Sequence, residues 1–171
     1  MGNGASNFTI IRITPTLDTN AYAQNDVLFN PTEIPNAVRG NAGCSMLMAA
    51  YILDQSDAAD SDINLFFTEG NTSFGTINDT ANISDSNLEA IGVCSFAKVD
   101  ADQAHSGAGV DGVRMHQVFN AAGTGEATQP LGLLQAAAGS TSVYVSGILT
   151  SATTPTYAAD DIDIILHIQY K

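Results

Sequence analysis

The chain has 171 residues, 44% of them apolar and only 13% charged, with 18 acidic against 5 basic side chains and a net charge of −13. This size and apolar content fit one self-sufficient core and exclude global disorder. The charge excludes nucleic acid and anionic membrane surfaces as partners, because both demand clustered Lys and Arg.

Read in chain order, residues 1–7 (MGNGASN) form a polar, flexible arm with no signal-peptide pattern. The remainder, 8–171, is expected to be a single β-sandwich domain. Phe8 to Thr14 is rich in Ile and Thr and stops at Pro15, as a strand does. Asp18 to Leu28 (DTNAYAQNDVL) reads as a turn, a tyrosine, a second turn and the start of a strand.

Cys44 to Leu53 is apolar on both faces. Leu47, Ala49, Tyr51 and Leu53 occupy one, and Met46, Met48, Ala50 and Ile52 the other. A helix is the rival reading, since Met, Leu and Ala are good helix formers; a central strand is preferred. Strands are also expected at 63–68, 91–99, 113–119 and 131–136. Between them lie turn-rich loops at 68–87, 101–112 and 121–130, with one helical turn at 84–90. Residues 141–150 alternate, Val143, Val145 and Leu149 opposing Tyr144, Ser146 and Ile148. At the C-terminus Ile162, Ile164, Leu166, Ile168 and Tyr170 share a face, and Asp161, Asp163, His167 and Gln169 share the other, with Ile165 as the exception. The sum is an all-β, jelly-roll-like β-sandwich of about eight antiparallel strands, with at most one or two short helical turns.

The chain is poor in chemistry. Asp54, Asp57, Asp60 and Asp62 form an acidic cluster, and Asp160, Asp161 and Asp163 form another that could share a cation with it. The first has neither the glycine nor the closing Glu of an EF-hand, so it reads as a solvated turn, and no metal or cofactor is expected. The three histidines are scattered, no G-x-S-x-G elbow occurs, and no Trp is present as a sugar platform. The chain therefore reads as non-enzymatic. Cys44 and Cys94 sit in apolar runs and read as free thiols. Arg39, one of few cations, lies at a turn, and an intramolecular pairing is preferred for it over an intermolecular one.

Four blocks carry a family resemblance: DTNAYAQNDVLF, EIPNAVRGNAGCSMLMAAYILDQSD, DINLFFTEGNTSFGTINDTANISDSNLEAIGVCSF and LGLLQAAAGSTSVYVSGILTSATTPTYAADDIDIILHIQY. In their order and spacing the chain resembles small all-β virion proteins of tailed phages, which are similar to capsid decoration, or cement, proteins encoded near the major capsid protein. The resemblance implies a structural protein made in the host cytoplasm and placed on the outer capsid surface. It implies the major capsid protein as partner, and a homo-oligomer, usually a trimer. It carries no catalytic residues. Candidate interface residues are Asn3, Phe8, Arg39, Met46 and Met48. The alternative is a carbohydrate- or receptor-binding jelly-roll module on a spike or fibre, with the acidic loops holding Ca²⁺.

Overall fold

The computed structural model describes residues 7–56, 61–84, 93–106, 114–120 and 132–171, with the backbone alone for 93–106 and 114–120. All regular structure among them is β: β1 (Phe8–Ile13), β2 (Val27–Ile34), β3 (Cys44–Asp54), β4 (Ile63–Thr68), β5 (Val93–Ser106), β6 (Arg114–Asn120), β7 (Gly132–Gln135), β8 (Val143–Leu149) and β9 (Ile162–Tyr170).

The strands pair from the ends of the chain inward. β1 pairs with β9, β2 with β8, β3 with β6 and β4 with β5, all antiparallel. Pairings of β3 with β9 and β4 with β8 then fold this ribbon over. One layer holds β1-β9-β3 with β7 beside β3; the other holds β2-β8-β4. The β5–β6 pair joins them at one side. This is the strand order of a jelly roll, with β7 as an addition.

Sequence alternation accounts for the core. Ile162, Ile164, Leu166 and Ile168 of β9 point inward and are buried, as expected from their spacing. They meet Leu28, Phe29, Leu65, Phe67, Val143, Val145 and Leu149 of the opposite layer. Gly147 lies on the inner side of β8 because Phe29 occupies the space beside it. A methyl group there would stand 2.3 Å from the ring.

The expected strand positions hold, with three corrections. β3 is a central strand, but Ser45, Leu47, Ala50, Ile52 and Asp54 are its buried positions. Its register against β9 slips between Leu47 and Ala49, so a bulge at Met48 reverses the alternation halfway along. The faces assigned by strict alternation are therefore wrong beyond Leu47. β5 runs to Ser106, so 101–106, expected as loop, is strand, because it pairs with 114–116 of β6 beyond a register shift. The loop after β4 is not a mere spacer. Phe74 is buried and packs with Val27 and Ile148 on the outer side of the β2-β8-β4 layer, with Phe66 and Ala81 against them. Backbone bonds from Val27 N–H to Asp79 O, Asn78 N–H to Val27 O and Ala81 N–H to Asn25 O fasten it there. The helical turn expected at 84–90 lies outside the described residues except for Ser84.

The tyrosine motif before β2 is an anchor. Tyr22 is buried against Tyr157, ring edge to face at 5.9 Å. Its hydroxyl donates to Leu28 O (3.0 Å) and accepts from Asp18 N–H (2.6 Å), and its own N–H donates to Pro155 O. Asp18 and Asp26 close the flanking turns by accepting from Asn20 and Ala23 N–H, and Asn25 takes the left-handed conformation between them.

Two measurements check this packing. Gly147→Ala should lower the urea midpoint by an amount equivalent to about 1–3 kcal/mol, since a buried ring must shift to admit the methyl group. Burial pushes the Tyr22 phenol up to about 12. The fold thus favours the neutral phenol. Its stabilisation is intact below the unfolded-state pKa of about 10 and declines as pH rises from there toward about 12. Tyr22→Phe should cost about 1–2 kcal/mol at neutral pH through the unsatisfied Asp18 and Leu28 groups, and should flatten that alkaline decline.

Candidate functional site

The outer side of the β1-β9-β3-β7 layer brings together three of the interface candidates, Phe8, Met46 and Met48. Cross-strand partners share a face, so the register lays out its rows. Phe8, Gln169, Met46 and Leu133 make the first, Ile10, His167 and Ala49 the second, and Arg12, Ile165 and Tyr51 the third. Met48 stands at the bulge beside them.

Four side chains of this face are large, apolar and exposed. Phe8 is 60% and Ile10 66% exposed, and Met48 and Leu133 are also exposed. They are four of the five large exposed hydrophobic residues among those described; the fifth, Ile83, is in the loop after β4. Tyr51 packs its ring on His167 at 5.4 Å, which fixes the centre of the face.

The charge on this side is nearly cancelled. β1 and β7 contain no carboxylate, β3 has only the buried Asp54, and β9 contributes Asp163 alone. Asp163 is buried and accepts from the Arg12 guanidinium, from the Thr14 hydroxyl and from the Gln55 amide (3.2 Å). The Arg12 hydrogen bond holds its carboxyl below the usual carboxylate range against the opposing effect of burial, with the Thr14 bond adding to it; the same contact raises the Arg12 pKa.

The two acidic stretches meet, since Leu53 lies opposite Asp163 and Gln55 N–H donates to Asp161 O (2.7 Å). Three of their carboxylates have partners within the chain. Asp54 is buried and accepts from the Ser56 N–H and hydroxyl. Asp161 accepts from Ala158 N–H, and Arg12 already supplies the positive charge at Asp163. Asp57 and Asp60 lie outside the described residues. Asp62 accepts at its carbonyl from Thr150. Among the described residues no three His, Cys, Asp or Glu side chains cluster as metal ligands would.

The other candidates divide. Phe8, Met46 and Met48 fall on the face. Arg39 instead lies over the Tyr170 ring at 4.4 Å and donates to Asn7 Oδ1 (3.3 Å). Tyr170 in turn donates from its hydroxyl to Asn36 O and from its N–H to Asn7 O. Arg39 is thus used within the chain, fastening the last residue of the expected N-terminal arm. Asn3 lies outside the described residues. Cys44 is a half-buried free thiol; the side chain of Cys94 is not among those described.

Sequence reasoning missed Ile10, Leu133, Ile165, Tyr51 and His167. The signal for Ile10 was present in the alternation Phe8, Ile10, Arg12. Ile165, the exception to the C-terminal pattern, marks an apolar position on the outer face. Leu133 needed the β3–β7 pairing, which no spacing reveals.

No family model, curated protein or solved structure matches the chain. Among the described residues no helix is long and apolar enough to cross a membrane.

The Arg12–Asp163 contact can be tested by acid. A carboxyl with a lowered folded-state pKa stabilises the fold above its unfolded value of about 3.9, and that contribution is lost as pH falls through the lowered folded value. Asp163→Asn should therefore destabilise at neutral pH, by about 1 kcal/mol given the exposure of Arg12. It should also make the loss of stability below a pH of about 4 shallower. Urea midpoints at neutral and acid pH read both effects.

Proposed function

We propose that this chain is a structural virion protein, a capsid decoration or cement protein that binds the outer surface of a phage head and stabilises its subunit junctions. The major capsid protein is its partner, and it works as a homo-oligomer. The observation that carries this reading is the difference between the two outer sides of the sandwich. The β2-β8-β4 side is covered by the chain's own loop through Phe74. The β1-β9-β3-β7 side leaves Phe8, Ile10, Met48 and Leu133 in solvent. An exposed apolar cluster on an otherwise acidic surface suits a contact with another protein.

The resemblance of its sequence blocks to phage virion proteins supports the same reading. A cement protein stabilises the expanded shell by binding it more tightly than the unexpanded one, and repeated sites make modest single contacts effective.

The test is cosedimentation with expanded and unexpanded heads of the phage that encodes the chain. The expected result is binding to expanded heads and increased resistance of those heads to heat. Met48→Asp with Leu133→Asp, both at exposed positions, should weaken binding by about tenfold or more while leaving the circular dichroism unchanged. Equal binding by this variant, or no binding by the unmodified chain, contradicts the reading.

A further inference from the structure

Strand β1 ends its layer, and among the described residues its outer edge is met by no proline, bulge or neighbouring strand. The opposite edge strand, β2, contains Pro31, has two register shifts, and is bridged from outside by Ile77, with Asp26 beside it bridged to Thr80. Those features block pairing with another chain. β1 reads FTIIRI, pairs with β9 without a shift, and contains neither proline nor bulge. Thr9, Ile10, Ile11 and Ile13 are β-branched, and among the described strands nothing pairs with the outer edge of β1.

The phase of that edge follows from one bond. Tyr170 N–H donates to Asn7 O (2.7 Å), which makes Asn7 and Tyr170 a hydrogen-bonded pair. In an antiparallel ladder such pairs alternate, so Thr9, Ile11 and Ile13 also exchange their bonds with β9. Ile10 and Arg12 therefore direct their N–H and C=O groups away from β9, toward the open edge.

We propose that this edge pairs with β1 of a second copy, antiparallel about a two-fold axis at Ile10, so that two sandwiches share one continuous sheet. With Ile10 opposite Ile10, the two residues exchange both of their outward bonds. The same register sets Arg12 of each copy opposite Phe8 of the other, a guanidinium beside a 60% exposed ring. It also keeps parity. The outer faces of the two copies join edge to edge, and their apolar rows become one surface of twice the width.

Charge selects this edge for a meeting of like molecules. Two bodies of net charge −13 repel. Residues 1–17 contain no carboxylate, the first being Asp18, and Arg12 lies in the strand itself. The contact is one strand wide, so the association depends on concentration in solution and strengthens wherever copies are held side by side. It does not depend on the identity of the surface that the shared face covers.

The test uses the full chain. Light scattering over a range of concentrations should show the mass rising from one chain to two and no further. Ile10→Pro removes the outward N–H at a position where an edge strand tolerates proline, and should hold the mass at one chain with unchanged circular dichroism. Ile10→Lys, which sets like charges opposite each other on the axis, should do the same and serves if the proline variant fails to fold. Hydrogen-bonded antiparallel partners have Cα atoms about 5.5 Å apart, within disulfide range. In a chain with both native cysteines replaced by alanine, Ile10→Cys should therefore oxidise to a two-chain product, whereas Ile83→Cys, also exposed but on the loop after β4, should not. A mass of one chain at every concentration, or of three, overturns the proposal. So does association that survives both Ile10 variants, or equal cross-linking at positions 10 and 83.

Discussion

The pairing of β3 with β9 is the constraint on which the rest of this molecule depends. It runs from Ser45 opposite Tyr170 to Asp54 opposite Ile162 and joins the middle of the chain to its end. With β9 also holding β1, the C-terminal strand lies between two partners along its length. A strand buried on one side and paired on both edges has its register fixed, because a one-residue slip would turn Ile162, Ile164, Leu166 and Ile168 out of the core. The same register brings the acidic end of β3 beside Asp163, places Arg12 within reach of that carboxylate, and arrays the apolar outer rows. The bulge at Met48 is what allows Leu47 and Ala50, three residues apart, both to face inward.

How far these features are legible in the sequence depends on the range of the interaction that fixes them. Alternation is local, so β1, β8 and β9 and their inner faces can be read directly. The turn chemistry around Tyr22 is local too, and the motif DTNAYAQNDVL does mark a turn, a tyrosine and a strand. Its purpose as a buried anchor is not local, because Pro155 and Tyr157 supply the partners. The Met48 bulge is invisible in an apolar run whose residues would suit either face. Nothing in TEGNTSFGTIND announces that Phe74 covers the far side of the sandwich, since a single aromatic in a polar loop looks like a spacer. Of the candidate site, Phe8, Met46 and Met48 were recoverable because they are apolar at positions that a strand exposes. The contact of Arg39 with Tyr170 was not recoverable, because it required knowing that the turn after β2 meets the end of β9.

The two outer sides of the sandwich show how one fold can treat equivalent surfaces differently. One is closed by the chain's own loop and held with backbone hydrogen bonds. The other has no such cover among the described residues, and its one buried carboxylate is matched by Arg12. A surface of this kind is poorly suited to bind small charged ligands. The function proposed above uses it as a contact with another protein. The jelly-roll framework supplies the rigidity that a contact of this sort needs, since every outer side chain is carried by a strand whose opposite face is locked in the core.

The central claim is that the uncovered outer side of β1-β9-β3-β7 is the working surface. Amide hydrogen exchange along the chain, alone and mixed with expanded phage heads, tests it most directly. The account predicts added protection concentrated in β1, β7 and the Met48 region of β3, with the loop at 69–84 unchanged. Protection confined to that loop, or to the turns at 151–161, would contradict it.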